Sequence, residues 1–98
     1  MKIHETREDG RLILAPEGRL DTVSAPELLD ELKKQLPAVS DLVIDLEKTD
    51  YISSAGLRAL LYAHQELDGR GTMVVRNAND LVTEVFEVTG FTSILNLE

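Results

Sequence analysis

No cysteine occurs in the sequence. Disulfides, thiol chemistry and cysteine-ligated metal sites are therefore excluded. Basic side chains are scarce as well: 10 Lys and Arg stand against 18 Asp and Glu, giving a net charge of −8. Binding to a nucleic-acid backbone needs a basic face, so nucleic acid is not the expected partner. An anionic membrane surface is disfavoured on the same ground. The acidity has two readings, simple solubility or a partner that presents a basic surface. Long apolar runs are missing: no stretch approaches the ~20 residues that span a bilayer. Met1-Lys2-Ile3-His4-Glu5 carries no apolar signal region. The expectation is a cytoplasmic protein. A glycine-rich phosphate loop is absent too, because Gly69-Arg70-Gly71 is too short and lacks the following Lys-Ser or Lys-Thr. It reads as a turn, and no cofactor or metal is expected.

What is present suits one soluble domain over residues 1–98, with 43% apolar and 29% charged residues. A domain of this size buries roughly two thirds of the surface its unfolded chain exposes. One core fits, but a deep substrate cavity besides it would be hard to accommodate.

Met1 to Glu17 reads as a hairpin turning at Asp9-Gly10, where both central residues tolerate positive φ. Leu12, Ile13 and Leu14 make its second strand apolar, and Pro16 and Gly18 are expected to end it. Ser24-Ala25-Pro26-Glu27 has the form of a capping box. Ala25, Leu28, Leu29, Leu32 and Leu36 follow at helical spacing, and Pro37 stops that helix. Leu42–Leu46 reads as a buried strand. Asp50 to Gly56 reads as its connection to a second helix, whose inner face is marked by Leu57, Leu60, Leu61, His64 and Leu67. Met73–Val75 is a further strand. Asn79 is placed to cap a third helix carrying Leu81, Val82, Val85, Phe86 and Val88, with Gly90 just past its end. Ile94–Leu97 is expected to add a last short strand. Alternating strands and helices imply an α/β fold with a largely parallel sheet.

Few residues suggest catalysis. His64 falls on an apolar helical stripe and reads as a core-edge histidine. His4 has no evident carboxylate or serine partner. Asp45 and Asp50 flank a strand end, where α/β proteins place catalytic acids, but a lone pair of Asp at this spacing is very common, and loop solvation and backbone capping are the favoured reading. Ser53-Ser54-Ala55-Gly56 opens the second helix. A serine there can simply be the N-cap. A second serine and a glycine in the first turn need more explanation, since glycine weakens a helix by about 1 kcal/mol relative to alanine. Close approach of another backbone would account for the glycine. A helix start also stabilises a phosphate, so this segment is a candidate phosphoacceptor.

Asp45-Leu46 and Tyr51-Ile52-Ser53-Ser54-Ala55-Gly56-Leu57 resemble the signature of STAS domains, in particular the bacterial anti-sigma factor antagonists. Gly18-Arg19-Leu20-Asp21, followed by Ala25 and Leu28, resembles the family's upstream motif. Val85-Phe86-Glu87-Val88-Thr89-Gly90-Phe91 resembles its closing Leu-Phe-x-x-x-Gly-Leu segment. The resemblance implies a STAS-like α/β domain: a mixed, mostly parallel sheet of four to five strands, an N-terminal hairpin and at least three helices. It implies a partner switch rather than an enzyme. The unphosphorylated antagonist binds an anti-sigma factor, commonly itself a serine kinase, and so releases a sigma factor. Phosphorylation ends binding, and a PP2C-type phosphatase restores it. By position the acceptor is Ser54. The family's usual Asp is replaced by Ser53, which is the alternative acceptor, and its second hydroxyl residue by Ala55.

The implied partner surface comprises Asp21, Thr22, Ser53, Ser54, Gly56 and Leu57. On this reading Gly56→Arg blocks binding and leaves the fold largely intact. Two other readings stay open: a STAS subunit of a lipid- or anion-transport assembly, and a small hydrolase using Asp45 or Asp50.

Overall fold

The computed structural model describes residues 1–98 as a five-stranded sheet with three helices. Strands β1 (Lys2–Glu8) and β2 (Arg11–Leu20) form the expected antiparallel hairpin. Its two-residue turn has Asp9 at φ 50° and Gly10 at φ 80°, as a primed turn requires. Helix α1 (Ala25–Gln35) leads through a 3₁₀ turn at Leu36–Ala38, containing Pro37, into β3 (Asp41–Asp45). Then follow β4 (Thr49–Ile52), α2 (Ser54–Leu67), β5 (Thr72–Arg76) and α3 (Asp80–Thr89). The sheet runs β1-β2-β3-β5, and β4 pairs with β2; every pairing except the hairpin is parallel.

Strand β2 does not end at Pro16. It pairs with β3 through Leu12–Leu14 and with β4 through Gly18–Leu20. Pro16 falls between these two parallel ladders, where its missing N–H deprives neither of a bond. Gly18, at φ 94°, sits at a register shift that begins the second ladder. Buried Thr49 ties the gap together by donating its hydroxyl to the Pro16 carbonyl at 2.8 Å.

Leu12, Leu14, Leu42, Ile44 and Val75 of the sheet pack against Leu28, Leu32, Leu57, Leu60, Val82 and Phe86 of the three helices. On α2, Ala59 and Ala63 are buried while Leu61 and His64 are only half-buried. The core face of α2 is made by Leu57, Leu60, Ala63 and Leu67, and Leu61 and His64 flank it. His64 thus stands at the core edge. On α3 only Val82 and Phe86 are buried; Leu81 and Val88 face solvent. Asn79 caps α3 by accepting from Val82 N at 2.8 Å, and Gly90 takes the left-handed conformation at its end. The tail forms a 3₁₀ turn at Phe91–Ser93 and one parallel bridge, Leu97 to Val75, instead of the expected strand.

The capping box does not form. Ser24 is helical in backbone and makes no capping bond. Its hydroxyl instead donates to Arg19 O and accepts from Asp21 N. The Glu27 carboxylate takes the Met1 ammonium at 2.7 Å. The Asp21 carboxylate takes the Ser24 N–H at 3.2 Å in place of Glu27, and the Val23 N–H at 3.0 Å, while the Glu27 N–H goes to the Ser24 carbonyl at 3.0 Å.

Candidate functional site

Two chain segments meet at one edge of the sheet. Leu20 pairs with Ile52 across β2 and β4, and Leu20 O accepts the Ser53 N–H at 2.9 Å. The β2–α1 loop (residues 21–24) is thereby fixed beside the start of α2.

The two serines have different surroundings. Ser53 is the N-cap, extended at φ −102° and ψ 179°, and its hydroxyl accepts from Ala55 N at 3.2 Å. Its carbonyl accepts the Leu57 N–H. Ser54 is the first residue of α2, is exposed, and has no hydrogen-bond partner for its hydroxyl. The capping role belongs to one serine and the other is free at the surface.

Gly56 and Leu57 support this surface from beneath. Both are buried. A Cβ at position 56 would lie 2.6 Å from Ile52 Cγ1, 2.8 Å from Leu20 O and 2.9 Å from Leu20 Cγ. The close backbone approach inferred for this glycine is present. It overturns the expectation that Gly56→Arg would add bulk only at the surface, because the added side chain would enter the α2–β2 contact.

In the β2–α1 loop, the Ser24 N–H leads in holding the Asp21 carboxyl below its ordinary value, with the Val23 N–H and the Arg19 charge adding to it, against a smaller opposing effect of desolvation. Arg19 places its guanidinium 4.5 Å from the Tyr51 ring centroid and 3.6 Å from the Asp21 carboxylate. Thr22 is exposed, and so is Val23, at 84%. Val23 was not among the residues expected here, although an apolar residue within a polar loop is the signal that could have found it. Beside Ser54 an apolar cleft of about 210 Å³ opens between α1 and α2, lined by Ala25, Pro26, Leu29, Ala55, Arg58 and Ala59. It depends on helix packing, so spacing along the chain does not reveal it.

The candidate catalytic acids are engaged differently. Burial pushes the Asp45 carboxyl up, but Asn77, Glu47 N–H and Arg76 together bring it below its ordinary value. Arg76 Nε is 3.2 Å away and Asn77 Nδ2 3.1 Å. A carboxylate held ionised by three donors is a weak base. Asp50 is exposed on β4 and makes no side-chain hydrogen bond. His4 does have a carboxylate partner, Glu17 at 2.9 Å across the hairpin, and that bond leads in lowering the Glu17 pKa. The pairing was invisible until the register set His4 against Ala15, two residues from Glu17.

The STAS domain family model matches residues 2–98. The chain belongs to the STAS domain family. A Bordetella bronchiseptica protein named as an anti-sigma factor antagonist, BtrV, is 41% identical to this STAS domain over 96 residues, covering 96% of the chain and 83% of the relative. The structure of an anti-sigma factor antagonist from Mycobacterium paratuberculosis matches with a TM-score of 0.91 at 23% identity, over 98% of this chain and 83% of that one. The phosphorylated form of the Bacillus cell fate determinant SpoIIAA matches with a TM-score of 0.77 at 16% identity, over 99% and 91%. At those identities the two structures establish a shared fold. No helix of this STAS domain is long and apolar enough to cross a membrane.

Proposed function

We propose that this STAS domain is an anti-sigma factor antagonist that works in the cytoplasm by binding, not by catalysis. Unphosphorylated, it captures an anti-sigma factor through the β2–α1 loop (Asp21, Thr22 and Val23) and the first turn of α2 around Ser54. The captured anti-sigma factor then releases its sigma factor. The observation that carries this reading is the free, exposed Ser54 hydroxyl on the first turn of α2, in a chain 41% identical to a named antagonist.

The switch is phosphoryl transfer by a partner serine kinase. The γ-phosphoryl group of ATP moves to Ser54 Oγ, the hydroxyl proton leaves, and ADP is released. A PP2C-type phosphatase reverses the change by hydrolysis. The phosphate adds a charge of about −1.5 to −2 at pH 7. Within the domain, the start of α2 favours that charge by about 0.3–1 kcal/mol, so the fold barely changes. Across a packed interface the phosphate must be desolvated, and a loss of ~3 kcal/mol lowers affinity more than a hundredfold. The interface effect is larger, so phosphorylation breaks the complex without unfolding the domain.

Incubation with candidate anti-sigma factor kinases and ATP tests both halves. Complex formation is read before ATP is added, and the phosphosite is mapped afterwards. Label on Ser54 with loss of the complex is expected. Label on Ser53 alone shifts the acceptor by one residue, and label on neither serine refutes the switch.

A further inference from the structure

Arg58 is unlike every other arginine in the chain. Arg11, Arg19 and Arg76 pair with Asp41, Asp21 and Asp45. Arg7 reaches Glu5 and Gln35, and Arg70 donates to three backbone carbonyls. Arg58 makes no hydrogen bond or ion pair, and it is exposed at the rim of the apolar cleft. No acidic residue stands three or four positions from it on α2, and the helix has none in its first turn. The residue four positions before it is Ser54.

Residues four apart on a helix are surface neighbours, with Cβ atoms about 5–6 Å apart. An anion preceding a cation by four is the favourable order, because it also agrees with the helix dipole. A guanidinium presents a fork of donors that matches phosphate oxygens. Ser53 is five positions before Arg58, off this stripe, and its hydroxyl is held on Ala55 N.

We infer that Arg58 is a counter-ion held in reserve for a phosphate on Ser54. The inference rests on Ser54 being the acceptor, as proposed above. On phosphorylation the guanidinium moves from the cleft rim onto the phosphate and makes charge-assisted hydrogen bonds within α2. The modification then does two things. Its charge is partly neutralised inside the domain, and the cleft loses the one cation on its rim.

Phosphoserine installed at position 54 by genetic-code expansion allows a test without kinase or partner. The readout is a ³¹P NMR titration of the isolated chain. The second phosphate ionisation, near 6 in free phosphoserine, is expected about 0.3 unit lower with Arg58 present than in Arg58→Gln, which is about 0.4 kcal/mol. Arg58→Lys keeps the charge but not the fork and gives an intermediate value. With phosphoserine at position 53 instead, Arg58→Gln leaves the titration unchanged. Coincident titrations at position 54 with and without Arg58 overturn the inference, as does equal Arg58 dependence at position 53. Arg58 is exposed and unbonded, so Arg58→Gln should fold, which its circular-dichroism melt checks. Coincident titrations leave Ser54 standing as acceptor, whereas absence of kinase labelling in wild type sinks the acceptor reading without touching this measurement.

Discussion

Replacing Gly56 with alanine adds one methyl group to the contact between α2 and β2. Helix propensity favours the change by about 1 kcal/mol. Packing opposes it, since the new Cβ would lie 2.6 Å from Ile52 Cγ1 and 2.8 Å from Leu20 O. Carbon atoms pack comfortably at about 3.5–4.0 Å, so something must move by close to an ångström. Leu20 O cannot retreat freely, because it accepts the Ser53 N–H that joins β2 to the helix start. Overpacking costs typically about 1–3 kcal/mol, and the upper half of that range applies where backbone must shift. The net effect is a destabilisation of about 1–2 kcal/mol, with the melting temperature falling roughly 4–8 °C per kcal/mol for a domain of this size. Urea and thermal unfolding measure it directly. Gly56→Arg is then a folding variant, and its loss of partner binding would say nothing about the interface. An alanine variant as stable as wild type, or more stable, would refute the reasoning and return Gly56 to the surface.

Ser54→Ala is expected to bind an anti-sigma factor constitutively and accept no phosphate. Ser54→Asp should bind more than a hundredfold more weakly at near-normal melting temperature, as isothermal titration and thermal melts can show. The Asp21 carboxyl is lowered from its ordinary 3.8. Its contribution to loop order is therefore complete above that value and is lost as pH falls through the lower folded one. The Val23 and Ser24 amide signals should follow that loss in an acid NMR titration, and Asp21→Asn should abolish the transition. Arg70 donates to the carbonyls of Leu36, Val39 and Glu66, so Arg70→Met strands helix-end acceptors. It should lower stability by about 1–2 kcal/mol in urea unfolding without changing partner affinity.

Elements with strong local signals were legible in the sequence. Asp9-Gly10 specified the hairpin, Asn79 and Gly90 bracketed α3, and the serines before Gly56 marked the start of α2. Strand β4 looks like part of a connection in the sequence. Its four residues include exposed Asp50 and only two buried side chains, Thr49 and Ile52, and its partner lies far away in β2. The continuation of β2 past Pro16 was hidden for a related reason. Proline ends a strand only where a ladder needs its N–H, and the gap between two ladders is known only once both partners are placed. The capping box failed because Asp21, outside the four-residue motif, takes the Ser24 N–H, and because the Ser24 hydroxyl is engaged by Arg19 O and Asp21 N. At the site, chain order separated the roles of Ser53 and Ser54 no better than by one residue. Distinguishing cap from free hydroxyl required the hydrogen bonds.

The bond from Ser53 N–H to Leu20 O also has an entropic consequence. Sites of modification often lie on mobile loops, which must be immobilised before a partner can read them, at about 0.5–1.5 kcal/mol for each rotamer-rich side chain. Here the serine backbone is held by the sheet on one side and by the helix on the other. If this surface meets a partner as proposed, little backbone ordering cost is set against its contacts. On the proposed reading, a phosphate on Ser54 would then act on a backbone that is already ordered, and its energetic effect would fall mainly on affinity.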